Sequence, residues 1–209
     1  MSPAKPLERD AASYRVVVTG GPGSGKTTLV EALAARGYAT VPEAGIQVIE
    51  ELNRELGLEG QKAWRHARRS AFQVRVARRQ AELEDAVPPD AGVVFLDRGL
   101  LDGLAYCRHF GEAVPPEVER LARGRRYDRV LLLDTLPAEA FAGRGRTGRT
   151  SDRDASLAIA AAIEAVYRER GYRVTRLPVR PVGERLELAV EAVLRAPGGP
   201  DAPAGTALP

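Results

Sequence analysis

The stretch that most constrains this chain is Gly20-Gly21-Pro22-Gly23-Ser24-Gly25-Lys26-Thr27-Thr28. An apolar run, Tyr14 to Thr19, precedes it, and a helical pattern follows, with Leu29, Leu33 and Ala34 on one face. The chain must therefore run as a strand, turn tightly and start a helix. The turn fits G-x-x-x-x-G-K-[ST]. Its glycines let successive N–H groups point into one hollow, and the helix from Lys26 adds its positive end. Such a hollow suits a triphosphate held by Gly20, Gly21, Pro22, Gly23, Ser24, Gly25, Lys26, Thr27 and Thr28. Lys26 is expected to reach the β- and γ-phosphates, and the Thr27 hydroxyl to ligate Mg²⁺, which prefers oxygen. A dinucleotide-binding turn is excluded here, because its third glycine would fall where Lys26 stands.

At 209 residues the chain is long enough for one α/β domain with a sizeable core. No apolar run approaches the length of a membrane span, and Met1 to Ala12 lacks the apolar segment of a signal peptide. Cys107 is the one cysteine; it excludes an internal disulfide, suits a cytoplasmic protein and is expected in the core. His66 and His109 are far apart in sequence with no ligand cluster nearby, so no zinc site is read. A net charge of +3 is too small to argue for nucleic acid.

Residues 1–13 read as a flexible lead-in, 14–195 as the folded domain and 196–209, rich in Pro, Gly and Ala, as a disordered tail. Strands are expected at 14–19, 38–41, 93–97, 129–134 and 172–177. Helices are expected from Lys26 to Arg36, from Ile46 to Leu56, over 61–87, from Leu100 to Phe110, over Pro116–Arg123, through Leu157 to Arg170, and from Leu186 to Leu194. The 61–87 helix carries an apolar stripe and seven basic residues, among them Lys62, Arg65 and Arg69; they form a solvated face or contact a substrate.

Two apolar strands end in acids, Asp97 and Asp134. Acids at the C-terminal ends of buried parallel strands face the ligand crevice, so Asp97 is a candidate Mg²⁺ ligand with Thr27. Phe141 to Arg149 is a Gly/Arg loop. It is either a surface loop or a lid near 141–151 whose arginines, Arg144, Arg146 and Arg149, close on the transferring phosphate. Ser151 and Asp154 resemble a capping box. Alternating strands and helices imply a parallel sheet with helices on both faces.

Gly20–Thr28, Val41-Pro42-Glu43-Ala44-Gly45, Phe95-Leu96-Asp97-Arg98-Gly99, Leu133-Asp134, Arg149-Thr150 and Gly171 to Arg185 stand in an order similar to one group. The chain resembles, over roughly 14–195, the AAA_28-type P-loop ATP/GTP-binding family, which is related to nicotinamide-riboside kinase domains and, more distantly, to deoxynucleoside and nucleoside-monophosphate kinases. The resemblance implies a three-layer P-loop NTPase fold with five parallel strands in the order 2-3-1-4-5. It implies that Glu43 serves as base for a substrate hydroxyl, that Asp97-Arg98 is the acid–arginine pair after strand 3, and that Arg149 belongs to the lid. It also implies that Pro178–Arg185 wraps the nucleotide base. The Gly/Arg repeat departs from relatives, whose lids are often acidic.

The implied function is Mg²⁺-dependent transfer of the γ-phosphoryl group of ATP or GTP to a hydroxyl of a small, nucleoside-like molecule. Lys26, Glu43, Asp97, Arg98 and Arg149 are the candidate catalytic residues, and Thr27 and Asp97 the metal ligands. The alternative is a regulatory NTPase with no small-molecule acceptor. Neither the acceptor, the choice between ATP and GTP, nor the oligomeric state is legible in the sequence.

Overall fold

The structure is a computed structural model that describes residues 13–141 and 153–195. Five strands, β1 (Tyr14–Thr19), β2 (Ala39–Val41), β3 (Val93–Asp97), β4 (Arg129–Leu133) and β5 (Val174–Leu177), form one sheet. Its order is β2-β3-β1-β4-β5, and all neighbours are parallel. Among the described residues seven α-helices accompany them: α1 (Lys26–Ala35), α2 (Ala44–Ala67), α3 (Arg69–Asp85), α4 (Leu100–His109), α5 (Pro116–Arg123), α6 (Arg153–Glu169) and α7 (Val182–Leu194). A 3₁₀ turn spans Ala138–Phe141. This is the α/β P-loop kinase-like architecture with the strand order that the resemblance implied.

The three layers follow from the two-residue period of the central strands. Val16 and Val18 of β1, Phe95 of β3 and Leu131 and Leu133 of β4 point to one face, where they meet Leu29 and Leu33 of α1 and Ala189, Val190 and Val193 of α7. Val17, Leu96, Val130 and Leu132 point the other way, towards Leu101 and Leu104 of α4 and Ile159, Ile163 and Tyr167 of α6. Both faces of β1, β3 and β4 are covered, which is why their sequences read as unbroken apolar runs. Cys107 lies in the core, 1 % exposed.

The strand and helix limits fall within two residues of expectation for most elements. The 61–87 segment does not. It belongs to two helices that meet at Arg68, whose backbone (φ −132°, ψ 52°) leaves the helical region. No proline or glycine marks the break. The Arg68 N–H still bonds to Trp64 O and its carbonyl still accepts from Phe72 N, so the bend loses little backbone hydrogen bonding. The first helix also extends back to Ala44, through a kink at Gly57 (φ 71°, ψ 172°). Helix α7 begins at Val182, four residues before the expected start, and β5 at Val174, two residues after it. The segment up to Ala12, expected to be a flexible lead-in, Arg144, Arg146 and Arg149, expected in a lid, Ser151, expected in a capping box, and residues 196–209, expected to be a tail, lie outside the described residues. Among the described residues no helix is long and apolar enough to cross a membrane.

Candidate functional site

β1 delivers the chain into the loop Gly20–Gly25 at the C-terminal edge of the sheet. Gly25 precedes α1 in the left-handed region, φ 90°, which suits glycine. The loop is packed from two sides. A Cβ on Gly21 would lie 2.2 Å from Ser156 O and 2.3 Å from Ser156 Oγ, so α6 rests directly on the backbone there. Ser156 Oγ also donates to Pro22 O at 2.8 Å. From behind, Arg185 of α7 donates to Ser24 O (2.6 Å), Pro178 O (2.8 Å) and Asp134 O (3.2 Å). Arg185 is 3 % exposed, and burial lowers its pKa against the pull of Asp134.

Lys26 Nζ donates to Gly21 O at 2.8 Å and Ser24 Oγ at 3.3 Å, so the ammonium lies over the hollow of the loop. The Thr27 hydroxyl donates to Asp97 Oδ2 at 2.7 Å, joining the start of α1 to the end of β3. The other carboxylate oxygen, Oδ1, is buried with no donor. Burial, then the charge of Glu43, raises the Asp97 pKa from 3.8 to about 6, while Lys26, Arg98 and the Thr27 hydroxyl pull it down. An alcohol oxygen beside a carboxylate with a buried, unsatisfied oxygen is a donor set that fits Mg²⁺, which takes few protein ligands and completes its shell with phosphate and water.

Arg98 is the hub of the site. It is a non-glycine residue at φ 77°, a conformation that costs about 1–3 kcal/mol and needs its surroundings to hold it. Its N–H donates to Val18 O, and its carbonyl accepts from Gln80 Nε2 at 3.2 Å. Its guanidinium donates to Glu43 Oε1 (3.1 Å), Gly20 O (3.2 Å) and Asp102 Oδ2 (2.8 Å), and lies over the Tyr106 ring. Its Nη2 is buried with no acceptor. Burial opposes the guanidinium's charge, but Tyr106, Glu43, Asp102 and Asp97 outweigh it and raise its pKa.

Asp102 fixes that guanidinium, because Thr19 Oγ1 (2.7 Å) and Tyr167 Oη (2.9 Å) donate to the same carboxylate. A second buried set holds the turn after β3. Gln80 Nε2 donates to Glu84 Oε1 at 2.9 Å, Tyr127 Oη donates to the same oxygen at 3.0 Å, and Leu100 N donates to Tyr127 Oη at 2.8 Å. Burial pushes the Glu84 carboxyl up, and burial together with Glu84 pushes the Tyr127 phenol up.

Glu43 precedes α2 with an extended backbone, φ −65° and ψ 111°. Its carboxylate makes no cap to its own helix and pairs with Arg98 instead. It is only 6 % exposed, more enclosed than a residue at the mouth of a crevice. It nevertheless lines a cavity of about 530 Å³ that reaches the loop at Pro22 and runs between α2, α3, α4 and α6.

Of the candidate residues, Thr27 bonds to Asp97 and Arg98 to Glu43, and the charges of Lys26, Glu43 and Arg98 all act on Asp97; Arg149 lies outside the described residues. Asp102, Ser156 and Gln80 were not expected in the site, and Arg185 was expected only as the end of the base-wrapping segment Pro178–Arg185, whereas it lies on α7 and holds the phosphate loop at Ser24. Asp102 had a signal, since it stands four residues after Arg98 at the start of a helix. Arg185 had none for this role, being 161 residues from Ser24 in sequence. His66 and His109, far apart in the chain, both line the cavity.

Among solved structures, NadR protein in complex with NAD and AMP-PNP is similar at a TM-score of 0.58 and 19% identity, over 86% of this chain and 49% of that one. This chain therefore spans about half the length of the NadR chain it matches. Deoxyadenosine kinase from M. mycoides, with products dCMP and dCDP, is similar at a TM-score of 0.54 and 14% identity, over 85% of this chain and 97% of that one. Thymidylate kinase from Candida albicans is similar at 0.52 and 15% identity, over 87% and 91%. At such identities the likeness is one of fold. No curated protein matches the sequence. The AAA_28 family, described as an AAA domain, matches residues 15–185, a span that holds the phosphate loop, Glu43, the Asp97-Arg98 pair and Arg185, and the chain belongs to that family.

Proposed function

We propose that this chain is a cytoplasmic, Mg²⁺-dependent kinase that binds ATP or GTP on Gly20–Thr28 and transfers the γ-phosphoryl group to a hydroxyl of a small molecule in the adjoining cavity. The observation that carries this reading is the Arg98 guanidinium, which bonds to the phosphate loop at Gly20 and to Glu43 in the cavity wall. One buried cation thereby ties a donor site to an acceptor site. A regulatory NTPase needs no acceptor cavity beside its loop. The similar structures hold AMP-PNP in one case and dCMP and dCDP in the other, which is compatible with a donor nucleotide and a nucleoside-like acceptor.

Thr27 and Asp97 would hold the Mg²⁺ ion, which when bound neutralises phosphate charge. Lys26 would move from Gly21 O and Ser24 Oγ onto the β- and γ-phosphates. Arg98 would orient Glu43 and offer Nη2 to an oxygen of the acceptor or the transferring group. The acceptor oxygen bonds to Pγ, the bond from Pγ to the β–γ bridging oxygen breaks, the nucleoside diphosphate leaves, and Glu43 takes the hydroxyl proton. Catalysis is then positioning and charge neutralisation.

The test is nucleotide turnover with and without a panel of hydroxyl compounds, in wild-type and Lys26→Ala protein. Slow hydrolysis that an acceptor accelerates, lost in Lys26→Ala together with Mg·ATP affinity, is the expected outcome. Hydrolysis indifferent to every acceptor would favour the regulatory NTPase. Unchanged nucleotide affinity in Lys26→Ala would overturn the phosphate-loop assignment.

A further inference from the structure

The cavity has two chemically different ends. Helices α3 and α4 form opposing walls that run in opposite directions between them. Gln80 on α3 bonds to the Arg98 carbonyl and so marks the inner end, which also holds Glu43 and Asp102. From Gln80 back to Arg69 the wall extends eleven residues, about 16 Å of helix. On the other wall, α4 runs outward from Leu100 to His109, with Phe110 just beyond it.

Both lining acids, Glu43 and Asp102, belong to the inner end. The outer end is lined by Lys62, Arg65 and Arg69, with His66, His109 and Phe110. Its members are tied together. The Arg69 guanidinium lies 4.7 Å from the Phe110 ring centroid, and its Nη2 is 3.4 Å from His66 Nδ1. The His109 ring meets Phe110 edge-on at 4.9 Å. Arg65 lies over Phe72, and its Nε is held by the side chain of Gln61 at 2.6 Å. A guanidinium stacked on a ring is held in a fixed plane, and its fork is the group that receives a carboxylate or phosphate in two parallel bonds. Glu112 is 3.9 Å from Arg69, and Glu59, paired with Lys62, has 82% of its side chain exposed; neither lines the cavity.

We propose that the acceptor carries an oxyanion, a phosphate monoester or a carboxylate, at the end remote from the hydroxyl that is phosphorylated, and that Arg65 and Arg69 bind it. This rests on the cavity being the acceptor site. It narrows the substrate class from small hydroxyl compounds in general to anionic ones. An acceptor so held spans the cavity, its hydroxyl at Glu43 and its charge at the basic end. A cationic acceptor is disfavoured by Lys62, Arg65 and Arg69.

The experiment is calorimetric titration with matched pairs in the presence of Mg²⁺ and AMP-PNP: sugars against sugar phosphates, alcohols against hydroxycarboxylates, and nucleosides against nucleoside 3′-monophosphates. The anionic member of at least one pair is expected to bind about tenfold tighter or better. Which pair responds tells phosphate from carboxylate. Arg65→Gln/Arg69→Gln should erase that preference and leave AMP-PNP affinity unchanged, with thermal unfolding checking that the variant is folded. Equal or tighter binding of every neutral member, or a preference that survives in the double variant, overturns the proposal. Anionic compounds that bind through Arg65 and Arg69 but receive no phosphoryl group from Mg·ATP would sustain the anion site and refute the kinase reading.

Discussion

The Thr27 hydroxyl donates to one oxygen of Asp97 at 2.7 Å, and the other oxygen of that carboxylate is buried without a donor. Asp97 is therefore half satisfied, in a place where its charge is costly. Its folded pKa, about 6, lies above the ordinary 3.8, chiefly through burial and then Glu43. The folded state thus holds this proton more tightly than the unfolded chain. The stability this gives the metal-free protein is complete below pH ~3.8 and is lost as pH rises through about 6, by at most about 3 kcal/mol. Asp97→Asn should remove that decline. At pH 7.5 the metal-free variant should be at least as stable as wild type in urea unfolding, yet lose Mg²⁺-dependent nucleotide binding. A variant that is less stable but still binds Mg·ATP would make Asp97 a structural acid.

Gly21 tests how closely α6 rests on the loop. An alanine Cβ would meet the carbonyl of Ser156, backbone that cannot rotate away. Gly21→Ala should cost about 1–3 kcal/mol of stability and weaken Mg·ATP binding, because loop and helix must part. Gly183→Ala is the control: that glycine sits in the first turn of α7 with open space around it, and alanine should be neutral or stabilising by up to about 1 kcal/mol. Equal unfolding midpoints for the two variants would refute the contact.

Arg185 holds three carbonyls from three separate segments. Arg185→Ala removes that donor from all three, of which the Ser24 bond is the buried one, at about 1–3 kcal/mol, and releases the loop at Ser24. Nucleotide affinity is expected to fall roughly tenfold, with partial recovery in Arg185→Lys, since a single ammonium cannot reproduce the planar fork. Unchanged affinity would mean that the loop holds its shape without α7.

What the sequence showed and what it hid follow from the range of the forces. The strands Tyr14–Thr19 and Val93–Asp97 were legible to the residue because burial on both faces writes itself as a continuous apolar run. The phosphate loop was legible because its glycines serve local geometry. The helix break at Arg68 was not, since no local breaker stands there and the bend is visible only in the packed chain. Nor were Arg185 and Ser156, whose partners Ser24 and Pro22 lie more than a hundred residues away. The positive φ of Arg98 was hidden for a related reason: it is sustained by contacts from Val18, Gln80, Glu43 and Asp102, which come from four different elements or their ends.

The last prediction separates Glu43 as base from Glu43 as partner of Arg98. The carboxylate is 6 % exposed, paired with Arg98 Nε at 3.1 Å, and faces the cavity beside the loop. Lys26 and Thr27 serve the donor nucleotide, so Glu43→Gln should leave Mg·ATP affinity within a few-fold of wild type. The amide retains an oxygen for Arg98 but cannot take a proton at neutral pH. Phosphoryl transfer to the acceptor should therefore fall by roughly 10²–10⁴-fold, the range for loss of a general base. An independent readout comes from Asp97, because Glu43 is the second-largest cause of its raised pKa. Glu43→Gln should shift the Asp97 titration, followed by carboxyl-carbon NMR, to lower pH. A shift in Asp97 with transfer intact would leave Glu43 an electrostatic neighbour and put the base elsewhere. A large loss of nucleotide affinity would instead tie Glu43 to the phosphate site.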